Sequence, residues 1–156
     1  MRVGQGFDVH RFTDDPSRRL VLGGCEFPGE RGLAGHSDAD VVAHAVADAL
    51  LGATGLGDIG QHFPDTDANW AGADSIELLR EVVRMLQATG WTAANVDCNV
   101  VCERPALAPR RGDMEARLSD AAGAPVSVKG RRAESLGAIG RGEGIACWAV
   151  ALVAKT

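Results

Sequence analysis

Residues 145–153 read Ile-Ala-Cys-Trp-Ala-Val-Ala-Leu-Val. No position in this run offers a polar face, so it predicts a strand covered on both sides, at the centre of a sheet rather than its edge. Its partners are found elsewhere in the chain. Residues 2–12 alternate, with Val3, Phe7 and Val9 on one side and Asp8, His10 and Phe12 on the other, the period of a strand. Val96, Cys98, Val100 and Cys102 alternate with Asp97 and Asn99, which predicts another. Pro125 to Lys129 is a short strand, and Arg19 to Phe27 a short extended piece interrupted at Gly23-Gly24. Ser37 is expected to open a helix through a capping-box-like Ser37-x-x-Asp40, with Val41, Val42, Ala45, Val46, Ala49 and Leu50 at helical spacing and Gly52 and Gly55 closing it. A second helix is expected over Ser75–Ala88, with Ile76, Leu79, Val83 and Leu86 inward and Gly90 as its stop. A weaker one covers 109–122. Residues 56–73 show no period and are rich in Gly and Asp, a long loop of the kind compact domains keep for function. The order β, β, α, loop, α, β, α, β, β predicts an α+β fold: one domain over residues 1–156, a small mixed sheet with helices packed on one face.

The chain has 156 residues, a formal net charge of -5 and 46% hydrophobic residues, enough for a core and too apolar for disorder. Its overall charge gives no reason to expect a nucleic-acid partner. No run of about 18 apolar residues suggests a membrane-spanning helix. The N-terminus shows neither a signal-peptide nor a transit pattern, so a cytoplasmic location is expected. Four cysteines (Cys25, Cys98, Cys102, Cys147) form no CxxC pair and read as buried thiols. Cys98 and Cys102, four residues apart on one strand, would lie roughly 13 Å apart, too far for a disulfide. Charge is segregated. Between Arg31 and Arg80 there is no Lys or Arg, only eight acids and three of the four histidines, while Cys102 to Arg141 holds eight basic and five acidic residues.

Asp8 and His10, two apart on a strand, leave from the same face. His44 lies on the helical stripe that also carries Asp40 and Asp48. Two imidazoles and one carboxylate leave a fourth position open, the ligand pattern of a catalytic zinc rather than a closed structural one. Asp40 or Asp48 is the expected partner for the second nitrogen of a ligating imidazole. A hydrogen-bonded, partly buried histidine is the alternative reading of His44. In the long loop, Gly57-Asp58-Ile59-Gly60 and Phe63-Pro64-Asp65-Thr66-Asp67 place glycines for close backbone approach beside acids that suit a cation or a sugar hydroxyl; ordinary turn chemistry is the alternative. Lys129-Gly130-Arg131-Arg132 and Gly140-Arg141-Gly142 suit phosphate oxygens or are simply solvated basic turns.

Five colinear stretches, MRVGQGFDVHRF (1–12), LAGHSDADVVAHAVADALLGA (33–53), GLGDIGQHFPDTD (55–67), GADS (72–75) and GRGEGIACWAVAL (140–152), closely resemble the 2-C-methyl-D-erythritol 2,4-cyclodiphosphate synthase family. The resemblance implies an enzyme of non-mevalonate isoprenoid biosynthesis. It would close 4-diphosphocytidyl-2-C-methyl-D-erythritol 2-phosphate into a cyclic diphosphate and release CMP, as a homotrimer with active sites between subunits, using Zn²⁺ together with Mg²⁺ or Mn²⁺. It implies that Asp8, His10 and His44 hold zinc and that His36 and Ser37 meet the substrate phosphates, His36 stabilising the transition state. Asp58 and Gly60 would contact the methylerythritol moiety, with Phe63, Asp65 and Asp67 in the segment beside it. The loop from Cys102 through Pro105, Ala106, Leu107 and Ala108 would read cytidine, Glu134 would hold the second metal, and Arg141 would face phosphate near the trimer axis.

The chain departs from the family pattern at Arg131 and Arg132, where small hydroxylated residues are frequent, and at Ala138, where a bulky apolar residue is common. At position 132 a guanidinium or a backbone N–H must do what a Thr hydroxyl does elsewhere. In the implied mechanism the substrate's own 2-phosphate is the nucleophile and the protein positions it and neutralises charge. Two other classes share parts of this pattern. One is a zinc-dependent phosphoesterase acting on a nucleotide. The other is a non-catalytic trimer that holds an isoprenoid diphosphate with Arg141 and Glu143.

Overall fold

A computed structural model describes all 156 residues. Four strands form a sheet in the order β1–β6–β4–β5: β1 (Arg2–Arg11), β4 (Trp91–Val101), β5 (Val126–Arg131) and β6 (Gly144–Lys155). The apolar run at 145–153 is central, paired antiparallel to β1 on one side and to β4 on the other. Only β4 and β5 run parallel, and α4 (Arg111–Ala122) makes their crossover, as a parallel pair requires. A small hairpin, β2 (Val21–Leu22) and β3 (Cys25–Glu26), turns at Gly23-Gly24, both at positive φ. The mixed sheet and the helices on one of its faces are as the sequence predicts.

Helix α1 (Val41–Thr54) lies against β1 and β6 and is buried on nearly every side. Its packing explains an inversion in β1. Period two holds, yet the apolar side, Val3, Phe7 and Val9, faces away from the core, and the core side is Gly4, Gly6, Asp8 and His10. The glycines are needed because the backbones approach so closely. A Cβ on Gly4 would sit 2.0 Å from the Ala49 carbonyl oxygen, and one on Gly6 would sit 1.9 Å from that of Ala45. Small residues on α1, Ala45, Ala49 and Ala53, meet them. The helix thus comes down onto the strand just where His44 must reach Asp8.

The start of α1 differs from expectation. Ser37 does not open it; the N-cap is Asp40, whose carboxylate accepts from the N–H groups of Val42 and Ala43 at 3.1 and 3.2 Å. The same carboxylate accepts from Gly23 and Gly24 at 2.8 and 2.6 Å, pinning the hairpin to the helix. A short side chain able to serve four donors at once explains why Asp rather than Ser caps here. Burial, then the nearby Asp38 charge, pushes the Asp40 carboxyl up to about 6 against the bonds from Gly24, Gly23 and Ala43.

Helix α3 (Ser75–Ala88) is capped by Asp74 and packs on α1 and α4, with Val82 rather than Val83 fully buried. The 56–73 segment contains two short pieces absent from the sequence reading, α2 (Ile59–His62) and a 3₁₀ turn at Ala68–Trp70, each begun by an Asp (Asp58, Asp67). A final turn, α5 (Gly137–Gly140), precedes β6. The four cysteines are free and buried, and burial pushes the Cys102 thiol up to about 11. No helix is long and apolar enough to cross a membrane. The second face of the sheet carries no helix, so the expected cover on both sides of the 145–153 strand is not found in the single chain: Val3, Phe7, Val9, Trp148 and Val150 remain between 40% and 68% exposed there, with the Phe7 and Trp148 rings 4.8 Å apart.

Candidate active site

Asp8, His10 and His44 converge, their ligand-capable atoms all within 4.8 Å of one another. Asp8 Oδ2 lies 3.0 Å from His10 Nε2 and 3.0 Å from His44 Nδ1. Tetrahedral zinc ligands with bonds of about 2.0–2.1 Å sit roughly 3.3 Å apart, so the spacing suits such an ion. The donor chemistry fits as well. The other nitrogen of His10, Nδ1, donates to the Ala34 carbonyl at 2.7 Å. Both nitrogens of His10 therefore face pure acceptors, which without a metal demands a doubly protonated ring. Burial opposes that charge, but the hydrogen bond and the negative charge of Asp8 outweigh it and raise the His10 pKa above 6.5. Burial likewise opposes ionisation of Asp8, yet the bonds to His10 and His44 hold its carboxyl well below the usual range. A divalent cation would replace the inward-facing protons and use the lone pairs they occupy.

The expected support from Asp40 or Asp48 is not what the structure shows. Asp40 caps α1, and Asp48 accepts from the Ile59 N–H at 2.9 Å, while burial raises its pKa. The outer nitrogen of His44, Nε2, instead meets two hydroxyls, Ser75 Oγ at 2.8 Å and Ser37 Oγ at 3.2 Å. Ser75 was legible only as the last residue of the GADS stretch.

A cavity of about 270 Å³ joins the triad to His36, Ser37, Gly60, Phe63 and Asp65. His36 Nε2 donates to the Asp67 carbonyl at 2.8 Å, so Asp67 contributes its backbone while its side chain caps the 3₁₀ turn. Asp58 does not line this cavity; its carboxylate caps α2 and accepts from Gln61. A separate cavity of about 490 Å³ gathers Cys102, Pro105, Ala106, Leu107, Ala108, Arg131 and Arg132. Within one chain these two groups do not share a pocket. Glu134 and Arg141 lie in neither: Glu134 is exposed on a turn at φ 53°, and Arg141 pairs with Glu143 at 3.2 Å.

Glu103, which the sequence reading passed over, organises that turn. Its carboxylate accepts from the Ala133 N–H at 2.8 Å and the Ser135 N–H at 3.4 Å, and it pairs with the Arg132 guanidinium at 3.1 Å. The side chain at position 132 is thus engaged at the cavity rim. No local sequence signal ties Glu103 to residues 132–135, since only the parallel β4–β5 pairing brings them together.

The sequence profile of the YgbB family matches residues 1–154. A relative from Thiobacillus denitrificans, named 2-C-methyl-D-erythritol 2,4-cyclodiphosphate synthase, is 53% identical over 158 aligned positions, covering 99% of this chain and 98% of that protein. Among solved structures, the bifunctional IspDF from Campylobacter jejuni superposes with a TM-score of 0.94 at 37% identity; the alignment covers 99% of this chain and 42% of that longer one. IspF of Plasmodium falciparum, in a CDP complex, superposes with a TM-score of 0.85 at 31% identity, covering 99% and 96% of the two chains. With nearly its whole length matched by profile, sequence and structure, the chain belongs to the YgbB family, that of the 2-C-methyl-D-erythritol 2,4-cyclodiphosphate synthases.

Proposed function

We propose that the chain converts 4-diphosphocytidyl-2-C-methyl-D-erythritol 2-phosphate to 2-C-methyl-D-erythritol 2,4-cyclodiphosphate and CMP. The observation that carries this reading is the Asp8–His10–His44 cluster opening into a cavity it shares with His36 and Ser37. Family membership and a CDP-bound relative support it. A 2-phosphate oxygen attacks the β-phosphorus, the bond from that phosphorus to the bridging oxygen breaks, and CMP leaves with that oxygen. The protein needs no nucleophile of its own, because the substrate's 2-phosphate supplies it. Asp8, His10 and His44 would hold a zinc ion, and Glu134 a Mg²⁺ or Mn²⁺, which when bound would neutralise charge on the phosphates.

The chain's residues do the positioning. His36, its Nε2 committed to Asp67, is left with Nδ1 to meet phosphate. Gly60, Phe63 and Asp65 flank the space for the methylerythritol unit, while Asp58 stands outside it at the α2 cap. The 102–108 loop with Arg131 and Arg132 receives the cytidine end. Those two cavities are apart within one chain, which favours a site completed by a neighbouring copy. The uncovered apolar face of β1 and β6 supports the homotrimer, since exposed aromatic and aliphatic side chains in one patch mark an association surface.

The test combines metal analysis, CMP release and phosphorus NMR of the products. The wild-type protein should carry zinc and yield the cyclic product, and His44→Ala should lose zinc and nearly all turnover while staying folded. Linear products would indicate a metal-dependent phosphoesterase instead, and full turnover by zinc-free His44→Ala would overturn the metal assignment.

A further inference from the structure

We propose that Ser75 and Asp38 form a relay that fixes which nitrogen of His44 is offered to the metal, making both of them positioning residues of the centre. This rests on the metal reading of Asp8, His10 and His44. Ser75 is the first residue of α3 and only 1% exposed. Its Oγ stands 2.8 Å from His44 Nε2 and donates its proton to Asp38 Oδ1. The Ser75 N–H donates to Asp38 Oδ2 at 3.1 Å, and the Asp40 N–H donates to Asp38 Oδ1 at 3.1 Å. A hydroxyl has one proton, and an ionised carboxylate can only accept. The Ser75 proton is therefore committed to Asp38, and the oxygen turns a lone pair toward His44. The Nε2–H of His44 then donates to Ser75, with Ser37 Oγ at 3.2 Å as a second partner, and a metal would take the place of the proton that Nδ1 shares with Asp8 at 3.0 Å.

His10 reaches the opposite arrangement by a simpler device. Its Nδ1 faces the Ala34 carbonyl, which cannot donate, so Nε2 is the metal-facing atom. A serine facing His44 has no such built-in direction. Without Asp38 its hydroxyl could equally donate to Nε2, moving the hydrogen to Nδ1 and blocking the metal-facing atom. Asp38 supplies the direction. Asp74 caps α3 by accepting from the Ile76 N–H at 2.8 Å and Asp38 Oδ2 takes the Ser75 N–H, so the bond from Ser75 Oγ to Asp38 Oδ1 is the part that helix capping does not account for. The relay also ties the centre to the phosphate-facing segment: the Asp38 N–H donates to the Ala73 carbonyl at 3.0 Å, and the Gly72 N–H to the His36 carbonyl at 2.8 Å. The GADS stretch thereby gains a role.

The experiment reads zinc affinity by chelator competition and the His44 Nε2–H by imidazole ¹H–¹⁵N NMR of the zinc-loaded protein. Wild type should show an Nε2–H held by Ser75 and slow to exchange with solvent. Ser75→Ala should bind zinc about 10–100-fold more weakly and show a fast-exchanging Nε2–H, while Ser75→Thr, which keeps the hydroxyl, should restore both. Asp38→Asn, whose amide can donate to Ser75, should resemble Ser75→Ala, and the double variant should be no worse than the weaker single. Ser75→Ala with wild-type affinity and an unchanged Nε2–H would overturn the relay, as would losses that multiply in the double variant. Failure of the metal reading looks different: His44→Ala would bind zinc as tightly as wild type, whatever the Nε2–H spectra show.

Discussion

Gly6 lies outside the Asp8–His10–His44 cluster, yet the cluster depends on it. A Cβ at this position would lie 1.9 Å from the Ala45 carbonyl oxygen and 2.6 Å from the Ala49 nitrogen, both backbone atoms of α1. Ordinary carbon–oxygen contact needs about 3.3 Å. No flexible side chain can yield, so in Gly6→Ala the helix must retreat from β1 by more than about 1 Å. Such overpacking costs about 1–3 kcal/mol, a fall in Tm of roughly 3–10 °C for a chain of this size. Ala45 directly follows His44, so the retreat carries the imidazole away from Asp8 and His10. Metal sites tolerate ligand shifts of about 0.2 Å, and zinc affinity should drop about 10–100-fold. Gly52→Ala is the control. It lies in the same helix, where an added Cβ meets only the Gln5 carbonyl oxygen at an ordinary 3.7 Å. That variant should gain up to about 1 kcal/mol from helix propensity and keep its zinc affinity. Thermal unfolding and competitive zinc titration of the three proteins check this. A Gly6→Ala protein that melts with the wild type and binds zinc as tightly would refute the close-approach argument.

Zinc affinity should decline as the pH falls, by about tenfold per unit for each proton displaced, once below the raised pKa of His10, because zinc and proton compete for the same lone pair. In the metal-free protein the sign is opposite. The folded state holds the His10 proton more tightly than the unfolded chain does, so its stabilisation is full below 6.5 and fades as the pH rises through the raised value. Titrations between about pH 5 and 8 test both, and a flat zinc affinity would contradict the coupling. Trp148→Glu sets a charge in the uncovered apolar face at a side chain already 40% exposed. If the proposed homotrimer forms through this face, the variant should stay folded, sediment as a monomer where the wild type sediments as a trimer, and lose CMP release; a trimer that persists would remove this face from the interface.

The sequence exposes the architecture wherever a local rule governs. Period two marks β1, helical spacing marks α1 and α3, and the all-apolar run marks β6 as the central strand. It misleads where tertiary contact decides. Ser37 looks like a cap until the Gly23-Gly24 hairpin arrives to recruit Asp40. Period two separates Val3, Phe7 and Val9 from Asp8 and His10 but does not say which side meets the core; α1 resting on Gly4 and Gly6 decides it. The Asp8–His10–His44 cluster was legible because two of its members share a strand face. Ser75 and Glu103 were not, because each reaches its partner only through packing of distant segments, 31 residues from Ser75 to His44 and 30 from Glu103 to Ala133.

The separation of the two cavities within one chain bears on how damage spreads through a mixed population. If each site takes its metal half from one subunit and its nucleotide half from a neighbour, a chain lacking His44 disables one site in its trimer and leaves the others untouched. Activity then falls in proportion to the fraction of such chains, and the defect is recessive. Two chains broken in different halves, mixed in equal amounts, regenerate about a quarter of the sites intact. The enzyme would show complementation between alleles, a genetic signature written by the distance between two pockets.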